Sequence, residues 1–397
     1  MRPVSAILLS AMLLPGQSYQ RDVYPIFEKH CFGCHTEGTK MGSLDLETWE
    51  GLQRGGNHGT IVVPYKSRES RLYTMLTGEH SPAMPMDGKM LAAAQVQQVK
   101  QWIDNGAKRA DAQIFSMAWR GGVIATGRYQ ALEVLDAETR KPQVAVKGMA
   151  DVVRAVAFSP DAAQIAAAGG VCGKKGEVAV VEAKTGVVIR KIAGHADCIY
   201  AVAYAPDGKM IATASYDKLI KLWDAATGAE IRTLKDHIDA VYAIAFTPDG
   251  KRLLSASADR SVKVWNPATG ERLYTLSEPT DGLNTLAVSP DGKMVAAAGL
   301  DKSIRVWRLG EKSAEMVLSL ISHEDAILDL AWSPDGKTLV SASADKSIKV
   351  FQAADLTEIR SIPSQPDWVY SLEFSPDGKR FAAGRYDGSL TIYEVAK

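Results

Sequence analysis

Thr247-Pro248-Asp249-Gly250 is one copy of a short motif that recurs through most of the chain. The other copies are Ser159-Pro160-Asp161, Ala205-Pro206-Asp207-Gly208, Ser289-Pro290-Asp291-Gly292, Ser333-Pro334-Asp335-Gly336 and Ser375-Pro376-Asp377-Gly378. Proline pre-sets φ and glycine supplies a residue that tolerates φ > 0, so each copy reads as a hairpin turn. Between the turns, runs of five to seven residues alternate apolar and polar, the period of a strand. The prolines lie 42 to 46 residues apart. That interval holds about four strands, so this region is a repeated β unit. An earlier stretch lacks the motif but keeps the frame, in Ile114 to Trp119, Val123 to Gly127 and Leu132 to Asp136. With it the units number seven.

Upstream the pattern changes. His30-Cys31-Phe32-Gly33-Cys34-His35 holds two thiols three residues apart with an imidazole directly after the second. This is the C-x-x-C-H spacing of covalent c-type haem attachment. Two sulfurs so spaced reach the two vinyl groups of a porphyrin, and His35 then supplies the proximal imidazole. Half a zinc site or a redox dithiol are the alternatives. A zinc half-site needs a second Cys/His pair at ligand spacing, and none follows. A redox pair wants a βαβ setting, and the surroundings read as helical.

The helices are short. Arg21 to Lys29 carries Val23, Ile26 and Phe27, with Pro25 near the first turn, where proline is tolerated. A second helix is expected within Leu44 to Arg54, stopped by Gly55-Gly56, and a third over Ser70 to Leu76, stopped by Gly78. Leu91 to Asn105 is the clearest, with a stripe of Val96, Val99, Trp102 and Ile103. The loop Glu79 to Asp87 contains Met84-Pro85-Met86. Four short helices make a thin core that a covalent haem would fill.

Lys+Arg and Asp+Glu both number 46 in 397 residues. This balance argues against nucleic acid or an anionic membrane as the main partner. Arg2, the apolar run Val4 to Leu14, Pro15 and the small residues around Ser18 read as a secretory signal over residues 1–18. The run is too short to span a bilayer. The mature chain is therefore expected to be periplasmic or otherwise exported, without a membrane span.

Residues 19–107 resemble the planctomycete-type cytochrome c domain. The resemblance rests on Val23-Tyr24-Pro25-Ile26-Phe27, Cys31-Phe32-Gly33-Cys34-His35, Gly55-Gly56, Val63-Pro64, Ser70-Arg71-Leu72, Met84-Pro85 and Trp102-Ile103-Asp104-Asn105-Gly106-Ala107. It implies one haem c bound through Cys31 and Cys34, with His35 and a methionine on the iron. In that family the ligand is the methionine of Met-Pro-Pro. Here the motif reads Met84-Pro85-Met86, so Met84 is implied and Met86 is the alternative.

Residues 108–397 resemble the WD40 family. Gly194-His195 and Trp223-Asp224 make the best copy of its repeat ends. The family's structural hydrogen-bond tetrad falls on His195, Thr213, Asp217 and Trp223, and again on His237, Ser255, Asp259 and Trp265. The repeat ending at Trp307 keeps Asp301 but has Ala297 at the hydroxyl position. The one with His323, Ser341 and Asp345 has Phe351 for tryptophan. Recurrence at repeat period marks these groups as structural rather than catalytic. The implied architecture is multidomain: a small all-α cytochrome c domain followed by an all-β seven-bladed WD40 propeller. The last strand, Ser389 to Tyr393, leaves one terminal blade short of an outer strand. In such propellers the loops holding Cys172 and Cys198 open on one face, and an exported chain permits a disulfide between them. Two separate thiols are the alternative.

The chain reads as an electron-transfer protein whose redox partner docks on the propeller. A haem-bearing scaffold or sensor is the second reading. A haem peroxidase, or an enzyme with its site in the propeller channel, is the third. It needs an open iron position or convergent polar residues, and the sequence offers neither, nor a phosphate loop or nucleophile elbow.

Overall fold

The computed structural model describes residues 19–36, 38–86, 89–107 and 113–395. The expected export signal, Asp87 and the linker at 108–111 lie outside the described residues. The chain divides into two compact units, Met1–Asp111 and Ala112–Lys397.

In the first unit a π-helical turn, Tyr19–Val23, runs into α1 (Tyr24–His30). Then come α2 (Trp49–Arg54), α3 (Arg71–Leu76) and α4 (Ala93–Asp104). The second helix begins at Trp49 rather than Leu44 because of Asp45. Its carboxylate accepts from the N–H groups of Glu47 and Thr48 and from the Thr48 hydroxyl, which fixes a turn. The Thr48 hydroxyl then caps α2 by accepting from Gly51 N–H. Helices this short do not hold in water alone, so packing stabilises them. Their core gathers on Tyr19, whose ring meets those of Tyr24, Phe27, Trp49 and Trp102 at centroid distances of 5.5–6.0 Å. Its hydroxyl donates to the Leu46 carbonyl.

The second unit holds six antiparallel sheets. The first contains β1 (Ser116–Arg120), β2 (Val123–Asp136), β3 (Pro142–Phe158), β4 (Gln164–Val171), β5 (Lys175–Glu182) and β6 (Val188–His195). Next are β7 (Ile199–Tyr204), β8 (Met210–Ser215), β9 (Leu219–Asp224) and β10 (Glu230–Lys235), then β11 (Val241–Phe246), β12 (Leu253–Ser257), β13 (Val262–Trp265) and β14 (Arg272–Leu276). The fourth sheet is β15 (Leu283–Val288), β16 (Met294–Gly299), β17 (Ser303–Leu309) and β18 (Ala314–Ile321). The fifth is β19 (Ile327–Trp332), β20 (Thr338–Ser343), β21 (Ile348–Gln352) and β22 (Glu358–Ile362). The last has three strands, β23 (Val369–Phe374), β24 (Arg380–Arg385) and β25 (Leu390–Glu394). Strand β3 serves two neighbours in succession. Its first half pairs with β2 and its second half with β4. The strands that begin each repeat touch in order, β1 to β3, β7, β11, β15, β19 and β23, and β23 touches β1.

The Pro-Asp-Gly turns join the first and second strands of a repeat and pack against the turn of the repeat before. At Ser289 the hydroxyl donates to Asp291 Oδ1 at 2.6 Å and accepts from Met294 N–H, which closes the turn. Gly292 has φ 71° and lies against the previous turn, where a Cβ would come within 3.1 Å of Pro248 Cδ.

Between the turns, polar clusters hold buried imidazoles and hydroxyls. His195 joins Asp217 through Nδ1 and Thr213 through Nε2, each at 2.8 Å, and Trp223 Nε1 donates to the same hydroxyl. His237, Asp259, Ser255 and Trp265 repeat this at 2.6–2.9 Å. Burial alone would push the Asp259 carboxyl up, but its bonds to His237 and Ser261 override that and lower it to about 2. Where a member is missing, other groups substitute. Trp307 Nε1 donates to Glu278 instead of a hydroxyl, while Asp301 binds Arg305. In the last sheet Arg385, 1% exposed, donates to Gln365, Thr391 and Tyr393.

Closure between the last and first repeats runs through side chains and main chain together. Ile114 N–H donates to the Arg385 carbonyl at 3.0 Å, and Met117 N–H donates to Ser371 Oγ at 2.9 Å. One repeat back, on β19, Asp329 accepts from Leu372 N–H of β23 and Thr285 Oγ1 of β15. Glu373 accepts from the Trp119 backbone. Arg380 pairs with Glu138 through two nitrogens and lies over the Trp119 ring.

Two predictions follow from these clusters. Ser255→Ala leaves two buried nitrogens, His237 Nε2 and Trp265 Nε1, without their acceptor or donor. The second unit should lose on the order of 2–4 kcal/mol in denaturant unfolding. A loss near zero would show that the cluster is not stabilising. The second concerns pH. Burial pushes Asp329 up to about 6. Burial first, and the neighbouring Asp329 second, push Glu373 up to about 8. Ordinary carboxyls titrate near pH 4. The folded chain therefore binds more protons than the unfolded chain between about pH 4 and 8, so these groups stabilise less as pH rises through that window. One such group contributes a slope of at most about 1.4 kcal/mol per pH unit. Glu373→Gln should flatten the fall in melting temperature between pH 6 and 8, and an unchanged slope would exclude this carboxyl.

Candidate haem-binding site

The C-x-x-C-H motif continues directly from α1. Cys31 N–H donates to Phe27 O at 2.7 Å, closing the helix. Cys34 and His35 N–H then both donate to Cys31 O, at 3.1 and 3.0 Å. The motif is thus one further turn of chain, which sets positions 31, 34 and 35 on one side, as at i, i+3 and i+4 of a helix. Met41 N–H to Cys34 O and Leu46 N–H to His35 O, both 2.9 Å, tie the turn to the loop behind it. Gln95, which the sequence reading did not single out, reaches from α4 to the His30 ring at 3.4 Å.

Cys31 and Cys34 are free thiols. Cys31 is half-buried against the core and Cys34 is exposed. Burial first, and Cys34 second, push the Cys31 thiol up to about 11. His35 has a buried Nδ1 with no hydrogen-bond partner. Buried polar atoms are nearly always paired, so such an atom needs an explanation. Of the two candidate methionines, Met84 packs against the same core as Cys31 and Phe32, and its N–H donates to Met75 O at 3.0 Å. Met86 is 69% exposed. His58 and His80, either of which would make a bis-histidine site with His35, are exposed as well. Two thiols, an imidazole with an unpartnered nitrogen and a core-packed thioether form a donor set that fits a covalent haem.

Residues 31–88 match the family described as Planctomycete cytochrome C. Residues 186–224, 228–266, 270–308, 314–352 and 356–394 each match the WD domain, G-beta repeat. The chain joins a planctomycete-type cytochrome c domain to WD40 repeats. No curated protein matches it. The cytochrome match begins at Cys31, although Tyr19, Val23 and Phe27 before it and Trp102 after it belong to the same core. The WD40 matches begin after β5, so the first two expected repeats stand outside them.

In the WD40 part, Cys172 and Cys198 are joined by a disulfide with Cα atoms 4.6 Å apart. Asp197 Oδ1 accepts from Gly173 N–H beside it, and Arg154 Nη2 lies 3.3 Å from Cys172 Sγ. Among the described residues, no helix is long and apolar enough to cross a membrane.

The thiol environments give a direct test. In apoprotein, Cys34 should alkylate first, and the rate at Cys31 should keep rising with pH towards about 11. Equal rates at neutral pH, followed by peptide mass mapping, would contradict the burial of Cys31.

Proposed function

We propose that this chain is an exported c-type cytochrome that exchanges electrons with a partner docked on its WD40 propeller. One haem c would be attached through Cys31 and Cys34, with His35 as proximal ligand and Met84 as distal ligand. The observation that carries this reading is the turn after α1, where two free thiols share one side with an imidazole whose buried nitrogen lacks a partner. Bound there, the haem supplies one-electron redox chemistry. The chain contributes the rest. Phe27 and Cys31 carbonyls hold the motif in its turn. The core around Tyr19 and Trp102 excludes water. Met75 anchors Met84 through its carbonyl.

The repeat is read as a seven-bladed propeller. The order of contacts from β1 through β23 and back to β1 supports that count. Export is supported by the apolar run after Arg2. A disulfide is in keeping with an oxidising compartment. The haem unit brings the redox centre, and the blades bring a broad, rigid surface for partners.

Met84→Ala should abolish the weak thioether-to-iron charge-transfer band of the oxidised protein, while Met86→Ala leaves it in place. Carbon monoxide should bind the ferrous wild type poorly, because His35 and Met84 would both hold the iron. Survival of the band in Met84→Ala and its loss in Met86→Ala would reassign the ligand. Rapid stoichiometric carbon monoxide binding would favour a peroxidase or gas sensor.

A further inference from the structure

The last sheet stops at three strands. Elsewhere the third strand of a repeat is covered by a fourth: β5 by β6, β9 by β10, β13 by β14, β17 by β18 and β21 by β22. Under that cover the aliphatic side chains are fully buried, as for Ile220 and Leu222 on β9 and Ile348 and Val350 on β21, all 0% exposed. The register of β24 with β25 places Leu390 and Ile392 at the matching positions. Both are only half-buried. Among the described residues no strand pairs with the outer edge of β25.

We propose that this edge is completed in trans by an extended segment of a partner protein, with an arginine directly after one aliphatic residue and two residues before another. The chain's own fourth strands define the chemistry that fits. They read Val188-Ile189-Arg190-Lys191-Ile192, Glu230-Ile231-Arg232-Thr233-Leu234 and Glu358-Ile359-Arg360-Ser361-Ile362. The final aliphatic covers the third strand, with Leu234 2% exposed and Ile192 3%. The arginine reaches forward to the next repeat. Arg190 donates to Ala225 O, Arg232 to Ala268 O at 2.9 Å and Arg360 to Glu394 O at 3.2 Å.

A segment on β25 would direct its arginine to the turn Asp136-Ala137-Glu138-Thr139-Arg140, which follows the ring seam. That turn places Ala137 where Arg190 finds Ala225 in the matching turn, so its carbonyl is the matching acceptor for a cationic side chain, while the Glu138 carboxylate is already held by Arg380. Main-chain hydrogen bonds along the free edge would supply affinity, and alternate side chains the selectivity. An open strand edge with half-covered aliphatics is otherwise a site of uncontrolled pairing. This inference rests on the β sheets alone and not on the haem.

The test adds a synthetic peptide with the sequence of residues 355–364 to the full-length holoprotein. Calorimetry should give one site per chain. Hydrogen exchange should slow at the outward amides of Leu390 to Glu394. A peptide with glutamate in place of its arginine should bind about tenfold more weakly, a difference of about 1.4 kcal/mol. Ile392→Lys in the protein should abolish binding while its absorption spectrum and fold are kept. Three results would overturn the proposal. Protection of those amides in the free monomer equal to that of β21 would show that the chain covers its own edge. Dimerisation with concentration, undone by Ile392→Lys, would make a second copy the occupant. An unprotected edge that ignores the peptide would show that the position stays open.

Discussion

A buried imidazole needs both ring nitrogens satisfied, and the repeat architecture is built around that need. His195, His237 and His323 each bond a carboxylate through Nδ1 and a hydroxyl through Nε2. Each such cluster links the strand before the inner strand, the second strand and the hairpin beyond it, so the sheet cannot shift register without breaking it. His35 is the contrast. It too has a buried ring nitrogen, yet that atom has no partner. Histidines that hold the fold are saturated, and the one expected to act is not.

Much of this was legible in the sequence because it depends on spacing along one chain. The imidazole, hydroxyl and carboxylate recur at fixed offsets, and the Pro-Asp-Gly turns mark the period. The thiol spacing at Cys31 and Cys34 is equally local. What was not legible depends on contacts between distant segments. Arg385 occupies a position that is serine in three other repeats, at Ser215, Ser257 and Ser343, and glycine in two more, at Gly169 and Gly299. Nothing local announces that a guanidinium will be buried against Gln365. Glu278 substitutes for the missing hydroxyl at Trp307 from 29 residues away. Tyr19, which precedes the first helix, lies at the centre of the first unit's core. The late start of α2 follows from Asp45 competing for backbone N–H groups, a side-chain effect that helix periodicity does not register.

Ring closure brings a second constraint. The seam between β23 and β1 relies on Ser371, Glu373 and the Ile114 backbone rather than on a shared outer strand. Beside this seam Glu373 lies near a second carboxyl, Asp329 of β19, in an enclosed setting. They retain some accessible surface, which moderates the cost of charging them without removing it. The same shortage of strands leaves β25 half-covered. Stability and surface chemistry at this end of the ring thus share one cause.

The central claim is covalent haem attachment at Cys31 and Cys34, and retention of haem through denaturation tests it most directly. The full chain should be expressed with the haem-maturation machinery, purified, unfolded and extracted with acidified organic solvent. The account predicts that one haem per chain stays with the polypeptide and that intact mass shows the adduct. It also predicts a reduced pyridine spectrum typical of a porphyrin whose two vinyl groups have become thioethers. Haem that extracts freely, or a chain that emerges with two alkylatable thiols at Cys31 and Cys34 and no haem, would contradict it.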